Sequence, residues 1–113
     1  MNDIHLVLNV VFYRTEIGNE PVREWLMELP REDRKLIGID IKSVQFGWPQ
    51  GMPLVRKLES RLWEVRTELD NSIARVIFTL VDCQMVLLHG FIKKSQKTPA
   101  VELDTARRRK SKL

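Results

Sequence analysis

The chain has 113 residues, 43% hydrophobic and 30% charged, with a net charge of +4. That is enough for one domain with its own core, and it excludes a disordered or collagen-like protein. One cysteine, Cys83, excludes an internal disulfide, and no apolar run reaches membrane-spanning length, so a reducing cytoplasm and no membrane partner are expected.

The opening MNDIHLVLNVVFY lacks the basic start and small-residue cleavage site of a secretory signal. Residues 4–13 are apolar and β-branched and predict a strand. A polar turn around Gly18 follows. Pro21 suits a first helical position, where its missing N–H costs nothing. Val22, Trp25, Leu26 and Leu29 then recur at helical spacing. Pro30 interrupts, and a second helix is expected from Arg31, with Glu32 and Asp33 in its first turn. Leu36, Ile37, Ile41 and Val44 are its expected buried face.

Gly47, Pro49, Gly51 and Pro53 predict an irregular loop. Residues 62–69, 73–81 and 85–92 read as three strands joined by short turns. Thr98 is the expected N-cap and Pro99 the first residue of a last helix. The expected organisation is one domain over residues 1–106 and a basic tail over 107–113, frayed until something acidic binds it. Five basic residues lie in that tail, which leaves fourteen basic against fifteen acidic side chains before it. Between Arg56 and Lys97 eight basic residues meet five acidic ones, so positive charge is locally concentrated.

The predicted class is α+β. An antiparallel sheet, made of the N-terminal strand and a three-strand meander, carries the helical hairpin on one face, with a C-terminal helix. Alternation puts Trp63, Val65 and Thr67 on one side and Glu64, Arg66 and Glu68 on the other. It likewise sets Ala74, Val76, Phe78 and Leu80 against Arg75, and Val86, Leu88 and Ile92 against Leu87, His89, Phe91 and Lys93. A one-residue slip would drive Arg75 into the core, at a large cost if unpaired. One face is therefore expected to gather Glu64, Arg66, Arg75, His89, Phe91 and Lys93. Lys94 and Lys97 follow at its rim, and Lys57 approaches from the preceding loop.

Such a face suits a phosphodiester. Two arginines can hold phosphate oxygens in pairs, and lysines add charge for the transition state. Phe91 offers a ring for an unstacked base. His89 is a candidate proton carrier, and a lysine among other cations is the alternative base. Each residue also has a plainer role: Arg66 as partner of Glu64 or Glu68, His89 as a hydrogen-bonded structural histidine, Phe91 as core. Trp25 and Trp63 read as core, and Trp48 as a core lid or a partner contact.

The segments PVREWLMELP (21–30), LVRKLESRLWEVR (54–66), IARVIFTL (73–80) and LLHGFIKKSQKTP (87–99) resemble the RelE/ParE superfamily of bacterial toxins, and most closely its HigB-type, phage-related branch. The resemblance implies a RelE-like fold and a toxin of a type II toxin–antitoxin system. It implies metal-independent, ribosome-dependent cleavage of mRNA by 2′-OH attack, with no cofactor. The implied partners are a helix-turn-helix antitoxin, mRNA and the ribosome, with operator DNA met only through the antitoxin complex. The absence of any His/Cys/carboxylate cluster with metal-ligand spacing agrees. Carried over by position, Arg66, Arg75, Lys93 and Lys94 match the basic positions, and Lys57 matches the lysine before the Leu-Trp strand. The expected catalytic set is Arg66, Arg75, His89, Lys93 and Lys57. The expected RNA-binding set is Phe91, Lys94, Lys97, Arg107, Arg108 and Arg109. Some branches place a tyrosine near the C-terminus; the single tyrosine here is Tyr13. The rival readings are a ParE-like gyrase inhibitor, a non-catalytic nucleic-acid-binding module and a prophage gene that has lost activity.

Overall fold

The computed structural model describes residues 7–113. In chain order its elements are β1 Asn9–Phe12, α1 Pro21–Glu28, α2 Arg31–Gly47, β2 Val55–Glu59, β3 Leu62–Glu68, β4 Ile73–Val81, β5 Gln84–Lys93 and α3 Ala100–Lys110. The class is α+β, as expected. Residues 4–6 of the expected first strand lie outside the described residues.

The helical hairpin follows from its prolines. Pro21 opens α1. Leu29, which precedes Pro30, is forced to an extended ψ of 155° and ends that helix. Glu32 and Asp33 then occupy the first turn of α2, where the helix dipole favours carboxylates. Val22 of α1 and Ile37, Ile41 and Val44 of α2 are buried. Leu36 is not part of that face: it is 45% exposed beside a surface cavity.

The sheet order is β1-β5-β4-β3-β2. It differs from the expected sheet in two ways. β1 runs parallel to β5, while the other pairs are antiparallel. Most of the chain separates these two strands, so no hairpin turn fixes their relative direction. β2 is a fifth strand in a segment expected to be loop. Its turn to β3, Ser60-Arg61, contains no Gly, Asn or Pro to announce it. Arg61 itself takes the left-handed φ of 62°. Arg61 Nη2 donates to the Leu80 carbonyl at 2.7 Å, and the Thr79 hydroxyl donates to the Arg61 carbonyl at 2.7 Å.

Both faces of the sheet are covered. Val65, Ala74, Val76, Phe78, Met85 and Leu87 pack under α1 and α2. Trp48 completes that core, edge-on to Trp63 at 5.2 Å and to Phe78 at 5.6 Å. Leu62, Ile77, Val86, Leu88 and Phe91 face the other way, against Leu103 and Ala106 of α3. This reverses the alternation expected for part of β5. The pairing slips between Ile77 and Phe78, so Ile77 opposes His89 and Phe78 opposes Leu87. Leu88 is the extra residue of this β-bulge, and a bulge swaps the faces of everything before it. Leu87 therefore joins the hairpin core, and Val86 and Leu88 join the α3 side.

Two further expectations fail at α3. Pro99, not Thr98, is the N-cap, and no side chain caps the helix. The Thr98 hydroxyl donates instead to Glu64 Oε1 at 2.8 Å. The expected frayed tail is helical through Lys110. Arg107 donates to Asp104 at 2.8 Å and to Glu59 at 3.1 and 2.5 Å, which fastens this end of α3 to β2.

Candidate functional site

Arg66 of β3 stands directly opposite Arg75 of β4, and Arg75 directly opposite Phe91 of β5. The adjacent row runs Arg56, Glu64, Ile77, His89. Like charges facing each other across strands repel. Here Glu64, fully buried, accepts from Arg66 Nη1 at 2.9 Å and from Thr98. Other guanidinium donors turn to the segment between β5 and α3, mostly to its backbone. Arg56 Nη1 and Arg66 Nη1 donate to the Gln96 carbonyl at 3.0 and 3.3 Å, and Arg66 Nη2 donates to Gln96 Oε1 at 2.6 Å. Arg75 Nη1 donates to the Lys97 carbonyl at 2.9 Å and Nη2 to the Ser95 carbonyl.

Arg75 is fully buried, and its Nε has no partner. Burial pushes its pKa below the ordinary arginine value. Glu64 opposes that shift, while Arg66 and Arg56 add to it. Three guanidinium groups thus share one carboxylate and a set of main-chain carbonyls, and the local balance is positive. Neutral carbonyls satisfy the hydrogen bonds without supplying a counter-charge.

A ladder of rings and cations extends from this cluster. The Arg75 guanidinium lies 5.7 Å from the centroid of Phe91. His89 stacks on Phe91 at 5.7 Å with the planes 24° apart. His89 Nε2 is 2.8 Å from Glu102 Oε1, and its Nδ1 is 3.4 Å from Arg109 Nη1. Arg109 in turn lies 5.8 Å over Tyr13. Lys93, Lys94 and Lys97 are exposed around the arginine end. An apolar cavity of about 470 Å³ opens beside that end, lined by Leu36, Ile39, Met52 and Leu54, with Arg66 and Gln96 in its wall. Among the described residues, no three His, Cys, Asp or Glu side chains converge as a bound metal would require.

The model of the family described as Phage derived protein Gp49-like (DUF891) matches residues 24–111. The chain belongs to that family. It is a RelE/HigB-like toxin family, associated with toxin–antitoxin systems and hence with a cognate antitoxin. No curated protein matches the chain. No helix among the described residues is long and apolar enough to cross a membrane.

In this Gp49-like chain the structure brings Arg66, Arg75, His89 and Phe91 together, with Lys93, Lys94 and Lys97 around them. Their surroundings differ from an open face. Phe91 is buried between Arg75 and His89. Both ring nitrogens of His89 are near partners on α3. Lys57 does not join the group: it pairs with Trp63, so it lies on the hairpin side of the sheet. Arg107 is held by Glu59 and Asp104, and its pKa is raised, chiefly by the Glu59 hydrogen bond. Arg108 is exposed.

Three members escaped the sequence reading. Arg56 becomes legible once residues 55–59 form a strand, because alternation sets it, not Lys57, beside Glu64. Glu102 looks like any acid in a first helical turn. Gln96 acts partly through its carbonyl, which leaves no mark in sequence.

Proposed function

We propose that this chain is the toxin of a type II toxin–antitoxin system and cleaves mRNA on the ribosome, without a metal ion, until a helix-turn-helix antitoxin neutralises it. The observation that carries this reading is the opposed row Arg66–Arg75–Phe91, roofed by a loop that bears exposed Lys94 and Lys97, with exposed Lys93 at the end of β5. Operator DNA is met only through the antitoxin complex.

The carbonyls of residues 95–97 occupy the guanidinium donors that a phosphodiester would use. Phosphate oxygens accept the same hydrogen bonds and add the opposite charge that the neutral carbonyls lack. When the loop lifts, phosphate replaces carbonyl at Arg66 and Arg75. The RNA 2′-OH gives up its proton, and its oxygen attacks the adjacent phosphorus. The two guanidinium groups hold the charge of the five-coordinate transition state. The P–O5′ bond then breaks as the 5′ oxygen takes a proton, leaving a 2′,3′-cyclic phosphate and a free 5′-OH. His89 is engaged on both ring nitrogens, which makes it a positioning residue for Phe91. Lys93, exposed at the end of β5, takes the 2′-OH proton as a neutral amine, and Lys94 or Lys97, as an ammonium, gives a proton to the leaving 5′ oxygen.

The test is induction of the chain in growing cells, with 5′-hydroxyl ends of mRNA mapped over time. New ends inside reading frames, with translation stopping before DNA replication, are expected. Replication stopping first would favour a gyrase inhibitor. Arrest with no new ends would favour a non-catalytic binding module.

A further inference from the structure

Where the last turn of α3 meets the chain just after β1, a cavity of about 340 Å³ is walled by Tyr13, Thr15, Glu16, Arg108, Arg109 and Lys112. Three cations there face one carboxylate. The acids near this end of the helix are already spent: Glu59 and Asp104 both bind Arg107. Arg109 is half-buried and forms no ion pair among the described residues. Its Nη1 donates to the Leu88 carbonyl at 2.8 Å and faces His89 Nδ1 at 3.4 Å. Its Nε and Nη2 have no hydrogen-bond partner among the described residues. Burial pushes its pKa below the ordinary arginine value, and the charge of Arg108 adds to the effect. A partly desolvated cation without a counter-ion is costly, and an anion in the cavity removes that cost. The helix C-terminus opposes an anion with about half a unit of negative charge, which is small against three cations.

We propose that this cavity binds a phosphate group. The donors suit one: Arg109 offers two uncommitted N–H directions, Arg108 and Lys112 are exposed cations, and Tyr13 and Thr15 carry hydroxyls. Its volume is near the lower end of small-ligand sites, about 300–1,000 Å³, which admits a nucleotide-sized group. The phosphate belongs either to a free nucleotide or to an RNA backbone. Because Arg109 also touches His89, occupancy is felt at the imidazole, and so along the ladder toward Phe91 and Arg75. The site stands on its own charge balance, whether or not the chain cleaves RNA.

The test is an NMR titration of the full chain at constant ionic strength, following the ring signals of His89 and Tyr13. The probes are inorganic phosphate, adenosine 5′-monophosphate and a short ribo-oligonucleotide, with chloride as the control. Saturable shifts are expected with phosphate-bearing probes. In an Arg108→Ala, Lys112→Ala double variant, which changes only exposed side chains, affinity falls by about tenfold or more, as for the loss of charge-assisted hydrogen bonds. Tighter binding of the oligonucleotide than of the mononucleotide assigns the site to RNA backbone; equal binding assigns it to a free nucleotide. Shifts that do not saturate, that chloride reproduces, or that persist unchanged in the double variant would overturn the proposal. No cleavage is read, so a failure here is distinct from a failure of the nuclease reading.

Discussion

Nε2 of His89 lies 2.8 Å from Oε1 of Glu102, and this contact fastens α3 to the strand that bears Phe91. Both side chains are 17% exposed, so the contact is sheltered but reachable by water. α3 brings little apolar surface to the sheet: Ala106 is its one buried residue, with Leu103 packed partly alongside. Its polar contacts therefore matter more than usual for keeping it in place. Glu102→Ala is expected to cost about 1.5 kcal/mol, the low end for a charge-assisted hydrogen bond. Hydrogen exchange in α3 should quicken while exchange in β3 and β4 stays slow. Unchanged exchange in α3 would show that the contact holds nothing.

Arg75→Lys keeps the charge but loses the fork that spans the Ser95 and Lys97 carbonyls. A stability loss of about 1–3 kcal/mol is expected in urea titration, from carbonyls left without donors. Cells inducing the variant should also escape growth arrest while the purified protein remains folded. Full arrest by a folded Arg75→Lys protein would remove Arg75 from the proposed site.

Gly90 carries the ring of Trp25 directly on its backbone. A Cβ at this position would sit 2.4 Å from two atoms of that ring, which an alanine cannot share. Gly90→Ala should destabilise by about 1–3 kcal/mol, as overpacking does. Pairing it with Trp25→Leu should recover part of the loss in a double-mutant cycle. Additive losses would mean that the two residues do not meet.

The Arg107 hydrogen bond, its largest influence, holds Glu59 below its ordinary pKa of 4.5. A depressed carboxylate pKa stabilises the folded state above the unfolded value, and that contribution fades as pH falls through the folded one. The end of α3 should therefore loosen on acidification below pH 4.5, seen as lower amide protection from residue 107 onward, measured relative to the intrinsic exchange rate at each pH. Arg107→Ala should loosen the same segment at neutral pH and flatten this part of the acid response.

Lys94 and Lys97 are exposed on the loop over the arginines. If they meet RNA phosphates, Lys97→Ala should lower the log–log salt slope of ribosome co-sedimentation by roughly 0.7–0.9, with the melting temperature unchanged. An identical slope would place Lys97 off the RNA path. Arg108→Glu is the cleaner probe of the basic end, since deleting residues 107–113 would also remove the Arg107–Glu59 pair.

Local pattern was enough for both hairpin helices, β3, β4 and β5, and for the grouping of Arg66, Arg75, His89 and Phe91. Those features depend on period, proline and the cost of burying a charge, all of which act within a few residues. β2 was illegible because its turn puts Arg61 in a conformation that usually calls for glycine. The swapped faces of Leu87 and Leu88 were illegible because a bulge is set by how β5 pairs with β4, not by the composition of either strand. The state of the site is likewise a product of assembly. Arginines that look free for phosphate in the sequence are closed by the carbonyls of residues 95–97, and His89 is claimed by Glu102 and Arg109. Backbone carbonyls carry no residue code, and partners from α3 reach β5 only after the chain folds back across the sheet.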